Sequence, residues 1–281
     1  TDRPLPDAIH AAHAAGFDAV ECHFPYDSDP GTVRAALDAT GLPMLGLNTW
    51  PGNRDAGEFG LAALPGREPQ AREAIAQAVE YAQAIGAGAV HVMAGRGDGG
   101  AGAEATFRAN LAHACDLAAP HGITILIEPI NRRDVPGYHL SHTAHAAEVI
   151  AAQHRPNLRL MFDCYHLQIM EGDLARRFEA LLPMIGHVQI AAVPDRGAPD
   201  RGEVDYRWLL AHMAGLGWNR PVGAEYRPPD GGPRPRSAGS ITFAGFDWFA
   251  PPPCNRDTLR RRGSCTKRAH RQGAVTAPLH R

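Results

Sequence analysis

The sequence predicts an α/β protein built on a parallel sheet, and three observations carry this. Short apolar runs alternate with longer segments of helical periodicity. Most of the runs are apolar on both alternating faces, as strands covered by helices should be. Several of the longer segments stop at a glycine just before the next run: Gly16, Gly41, Gly86, Gly122 and Gly217. Strict βα alternation leaves two architectures, a doubly wound open sheet and a (β/α)8 barrel.

The apolar runs at 17–24, 43–50, 89–95, 123–129, 158–166, 186–193 and 221–228 predict seven strands. Segments 5–15, 31–40, 69–86, 102–119, 142–153, 173–182 and 205–215 predict seven helices. Ser141, Asp173 and either Glu203 or Asp205 are start signals for the last three. The glycine-rich "GRGDGGAG" at 95–102 does not fit the spacing of a dinucleotide or phosphate loop, so it reads as a flexible connection. From Pro228 the periodicity fades into "PPDGGPRPRSAG", and residues 254–281 are rich in arginine and poor in apolar content. The expected organisation is one folded domain over 1–228 and a Pro/Gly/Arg-rich tail over 229–281, largely disordered.

The chain has 281 residues, 44% hydrophobic, enough for one sizeable core. A formal net charge of -2 gives no electrostatic case for nucleic acid or an acidic membrane surface. No apolar run approaches the ~20 residues of a membrane span. No basic patch followed by an apolar segment opens the sequence. The five cysteines are scattered without a CxxC pair, which argues for a reducing compartment and against a disulfide framework. The expectation is a cytoplasmic protein without nucleic-acid or membrane partners; a homo-oligomer is compatible with all of this.

The polar residues of the last four strands fall in a pattern. Glu128 ends "ITILIE", Asp163 lies near the end of "LRLMFD", Gln189 lies in "HVQIA" and Glu225 ends "PVGAE". They are 35, 26 and 36 residues apart, about one βα unit each. In a parallel barrel the strand C-termini gather at one face, so side chains at matching depth converge. Buried carboxylates repel one another and lose hydration, so a positive group should sit among them. An oxygen-only donor set favours Mg2+ or Mn2+, whereas zinc would more often recruit histidine or cysteine. His166, three residues after Asp163, could reach a substrate. His187 alternates with Gln189 and should share its face one layer deeper. His91 reads equally as a core or a cavity residue, and His113, His142 and His145 read as surface or packing residues.

Taken together, "FDAVECHFPYD", "GLNTWPGN", "IEPINRRDVPGYHL", "FDCYHLQIMEGDL", "HVQIAAVPDR", "GEVDY" and "GAEYRP" resemble the hydroxypyruvate isomerase family, over about residues 5 to 228. The resemblance implies a TIM (β/α)8 barrel of the xylose isomerase-like superfamily. It implies metal-dependent interconversion of hydroxypyruvate and 2-hydroxy-3-oxopropanoate, or of a related small hydroxy-oxo acid. Glu128 and Glu225 match the family's catalytic pair. Glu128, Asp163, Gln189 and Glu225 match its divalent-metal ligands. Asp134, His166 and Arg196 occupy loops that hold substrate oxygens in related enzymes. Arg132, Arg196 and Arg227 are candidates to meet a substrate carboxylate.

Against the family pattern, no strand precedes the first helix, and the C-terminal end is atypical. The first departure predicts a gap between strands 17–24 and 221–228, with two exposed edges. A ketose 3-epimerase is the alternative within the same chemistry. An inactive or incomplete barrel fragment is the alternative outside it. A three-zinc DNA endonuclease of the same superfamily would need more histidine ligands and a basic face.

Overall fold

The structure is a computed structural model that describes residues 3–97, 99–227 and 241–244, the last four as backbone. The strands are β1 (Ala19–Cys22), β2 (Leu47–Asn48), β3 (Ala89–His91), β4 (Thr124–Ile127), β5 (Leu158–Asp163), β6 (Ile185–Ile190), β7 (Gly223–Ala224) and β8 (Ile241–Ala244). The helices are α1 (Leu5–Ala14), α2 (Pro30–Thr40), α3 (Glu68–Ile85), α4 (Ala101–Ala118), α5 (Thr143–Gln153), α6 (Cys164–Met170), α7 (Leu174–Leu181) and α8 (Tyr206–Gly215). Pairing from β2 to β7 is parallel and sequential. A parallel bridge from Val20 to Met44 joins β1 to the segment before β2 and closes the ring. Val20 N–H donates to Pro43 O at 3.0 Å and Leu45 N–H to Val20 O at 2.7 Å. The barrel, not the open sheet, is therefore the architecture.

The gap expected between the first and last predicted strands is filled. β8, from the segment that the sequence assigns to the tail, lies between β1 and β7 and runs antiparallel to both. Its register pairs Thr242 with Glu21 and Phe243 with Ala224. Two sheet edges that would otherwise present bare N–H and C=O groups are thus satisfied by one strand. The expected disorder of the rest of 229–281 concerns residues outside those described.

The helices pack their apolar stripes on the outside of this ring. Phe107, Leu111, Ile75, Phe162 and Phe178 are fully buried there, each contributing on the order of 1.5–3 kcal/mol. The five stop glycines all adopt positive φ, from 67° to 99°. Two local readings change. The run at 158–166 is a strand only to Asp163, because that side chain caps α6 by accepting from Tyr165 N–H at 2.8 Å. At the start of α5 the cap is His142 without a side-chain bond, and Glu171 takes over by accepting from Thr143 N–H at 2.9 Å. The glycine-rich loop is held by the β4–α5 connection: Gly97 N–H donates to Gly137 O at 3.0 Å. Among the described residues no helix is long and apolar enough to cross a membrane.

If β8 closes the barrel, Thr242→Pro should open it, because proline cannot donate to a ladder. A cost of about 2 kcal/mol corresponds to a melting temperature lower by roughly 4–8 °C at this size. An unchanged melting temperature would mean that the seam does not depend on this strand.

Candidate functional site

The strand C-termini bring Glu128, Asp163, Gln189 and Glu225 to one end of the barrel. Glu128 follows β4, Asp163 ends β5, Gln189 is the penultimate residue of β6 and Glu225 follows β7. Asp163 pairs with Gln189 in the β5–β6 register, which fixes their common depth. Glu128, Asp163 and His166 each offer one ligand atom within 4.8 Å of the others. Asp163 divides its carboxylate: Oδ1 caps α6, while Oδ2 lies 3.5 Å from His166 Nε2 and from Arg196 Nη2.

Arg196 supplies the positive charge that the cluster needs. Its Nη2 is 2.5 Å from Glu225 Oε1, and its Nη1 is 3.1 Å from His166 Nε2. It sits at φ 55°, and its carbonyl accepts from Arg227 N–H at 2.7 Å. His166 turns its other edge away: Nδ1 accepts from Asn131 N–H at 3.2 Å. Nε2 therefore faces Glu128 Oε1, 3.6 Å away, and Asp163.

Asp134 is not among the acids. Its Oδ2 accepts from Tyr165 Oη at 2.7 Å and from Asn131 Nδ2 at 3.1 Å, so its hydrogen-bonded link to His166 runs through Asn131.

The electrostatics separate the carboxylates. Burial raises Glu128 well above the usual carboxylate range, and Asp163 and Glu225 add to this. Burial also pushes Asp163 up to about 7, against the pull of Arg196. Burial alone would raise Glu225, but Arg196 and then His23 outweigh it and hold the group far below its ordinary value. His166 is lowered well below its usual range by burial and then by Arg196, so its ring is neutral. Burial lowers His91 to about 3.

Three contributors escape the rule that found the four strand-end residues. Glu21, in the middle of β1's "AVEC", is buried; its Oε1 accepts from Gln189 Nε2 at 2.8 Å and its Oε2 lies 2.5 Å from His187 Nε2. His187 and Gln189 do share a face, and Glu21 is what they share. Gly223 leaves the room for it, since a Cβ there would lie 2.5 Å from Glu21 Oε1. His23, just past β1, is 3.4 Å from Glu225 Oε1. Asn131 orients His166. The same alternation test applied to "AVECH" would have exposed Glu21. Nothing in the sequence marks Asn131. Beneath the site a cavity of about 180 Å³ extends into the barrel, lined by Glu21, His187, Gln189, Leu126 and Met161 among others.

The residues fit a divalent cation. Among the described residues, neither Glu128 Oε1 nor Gln189 Oε1 has a hydrogen-bond partner, although both are buried. Such acceptors cost about 1–3 kcal/mol each when unsatisfied. With Gln189 NH2 committed to Glu21, its oxygen is free to ligate, as is Glu128 Oε1, whereas Asp163 Oδ2 and Glu225 Oε1 face Arg196 and would have to be shared with it.

Comparison with known proteins identifies the family. Residues 9–250 match the family model described as xylose isomerase-like TIM barrel. A 2-oxo-tetronate isomerase of Cupriavidus necator is 45% identical over 248 residues, 87% of this chain and 92% of that one. The hydroxypyruvate isomerase of Escherichia coli is 36% identical, over 85% of this chain and 90% of that one. A solved structure from Brucella melitensis described as an AP endonuclease, family 2, superposes with a TM-score of 0.79 at 40% identity, covering 82% of this chain and 90% of that one.

The raised Asp163 fixes a sign for stability. Its folded value lies above the ordinary 3.8, so the contribution is present below about pH 4 and lost as pH rises through about 7. Metal-free protein should therefore lose on the order of a few kcal/mol over that window, and Asp163→Asn should lose less. Urea midpoints of the two proteins at pH 4.5 and 7.5, chosen as about the ends of the window, test this; equal slopes would refute it.

Proposed function

The chain belongs to the xylose isomerase-like TIM barrel family, and from that premise we propose an isomerase of small 2-oxo acids that interconverts hydroxypyruvate and 2-hydroxy-3-oxopropanoate, or a homologous 2-oxo-tetronate. The observation that carries this is that Glu128 and Glu225, from strands three places apart round the barrel, flank one His166–Arg196 pair, Glu128 Oε1 lying 3.6 Å from His166 Nε2 and Glu225 Oε1 2.5 Å from Arg196 Nη2. The relatives named as isomerases of such acids support the substrate class.

Isomerising a 2-hydroxy carbonyl means removing a proton beside the carbonyl and returning one to the neighbouring carbon. In this reading Glu128 and Glu225 act as a pair, one taking the proton and the other returning it. Glu128, Asp163, Gln189 and Glu225 would hold Mg2+ or Mn2+, which when bound would stabilise the negative charge that develops on the two adjacent substrate oxygens. The Nε2 edge of His166 offers a contact to a substrate oxygen. Arg196, which pairs with Glu225 and Asp163, would be the cation to meet a substrate carboxylate, and Asp134 would act as a positioning residue through Asn131 and Tyr165. The ring closed by β8 supports this reading over an incomplete fragment, because it anchors β1 and so Glu21.

An activity panel of hydroxypyruvate, 2-oxo-tetronates and free ketoses, with and without Mn2+ or Mg2+, tests the proposal. Turnover of the acids should require the ion and fall roughly 10²–10⁴-fold in Glu128→Gln and in Glu225→Gln. Epimerisation of the ketoses without conversion of the acids would replace it by the ketose 3-epimerase reading.

Glu21 orients Gln189 rather than touching substrate. Glu21→Gln lets the amide turn over and should weaken Mn2+ binding by about 10–100-fold, the range for removing a partner of a metal ligand. Titration followed by electron paramagnetic resonance measures this; an unchanged Kd would remove Glu21 from the role.

A further inference from the structure

A second cluster lies on the outer rim of the barrel, away from the acids at the strand ends. Glu104 stands in the first turn of α4, His139 in the β4–α5 loop and His145 in the first turn of α5. His139 Nε2 is 3.0 Å from Glu104 Oε2, and His145 Nε2 is 2.8 Å from the same oxygen. One ligand atom from each of the three lies within 4.8 Å of the others. We propose that Glu104, His139 and His145 form a binding site for a zinc-class divalent cation, distinct from the site at the barrel mouth.

The donor chemistry differs from that of the mouth. Two imidazole nitrogens and one carboxylate are the set that a borderline ion such as Zn2+ takes in tetrahedral coordination, with a fourth position left for water. Oxygen-rich donors at the mouth suit a harder ion. Both histidines aim the same atom, Nε2, at one point. His145 and Glu104 are 30% and 28% exposed, which gives an ion a route in and leaves room for water. His139 is 4% exposed and held from two sides. Its backbone N–H donates to Gly95 O at 2.9 Å, and its ring packs on the edge of Phe107 with centroids 5.4 Å apart. Arg108 Nε bonds the other oxygen of Glu104, fixing the carboxylate as partners of a metal ligand do.

The separation from the mouth follows from the loop. Tyr138 and His139 are neighbours that point apart: Tyr138 Oη accepts from Ala94 N–H at 3.0 Å, after β3, while His139 reaches α4. Because the two clusters share no residue, this inference stands apart from the isomerase reading.

Protein carrying Glu128→Gln and Asp163→Asn, with the mouth ligands disabled, should be stripped with chelator, dialysed against Zn2+ and assayed for bound metal. It should retain one equivalent, and Co2+ in its place should give the visible absorption of a tetrahedral ion. Adding His145→Gln or Glu104→Gln should abolish both signals, with melting temperatures in chelator matching the parent. Should either addition impair folding, the parent's Co2+ spectrum decides alone. A parent that binds no zinc, shows octahedral Co2+, or keeps its equivalent after both additions overturns the proposal.

Discussion

Carboxylates crowded into one end of a closed barrel are the constraint on which the other features turn. Glu21, Glu128 and Asp163 are buried, and Glu225 is nearly so. Such charges cannot all be ionised without compensation. Arg196 compensates two of them directly, and its position depends on a left-handed backbone and on Arg227. His166 is held neutral beside it by burial and by the guanidinium, while Asn131 N–H fixes its ring through Nδ1. The oxygens left over, on Glu128 and Gln189, define where further positive charge is wanted.

That arrangement is only as firm as the ring beneath it. β1 carries Glu21 and leads to His23, and its neighbours are the bridge to Met44 and the reversed strand β8. Glu21 in turn fixes which end of the Gln189 amide faces the site. A strand far along the chain, with no acid of its own in the site, thus bears on the direction of a ligand atom two places round the barrel.

The alternation of elements and the four strand-end residues were legible because each rests on a local signal: apolar runs, stop glycines, an acid after a run. Glu21 was legible in principle but sits inside its strand rather than at the end, so a rule keyed to strand ends passes over it. β8 was not legible. Its four residues lie in Pro/Gly-rich surroundings, and what makes them a strand is two sheet edges, one of them on β1 at the other end of the sequence. The split at Asp163 was hidden for a related reason, since a buried apolar run reads the same as strand or as the first turn of a helix. Asn131 and Asp134 act through hydrogen bonds that no spacing announces. His145 reads from the sequence as a surface or packing residue; it is partly exposed, and its neighbours His139 and Glu104 come from two other segments.

Asp163 serves two masters with one side chain, capping α6 with one oxygen and facing Arg196 and His166 with the other. Each duty alone has substitutes. Asparagine, serine or threonine caps a helix as well, and glutamate carries the same charge. The cap, however, needs a short side chain, and the site needs a charged one. The overlap of the two sets is a single amino acid, which leaves this position little freedom to drift.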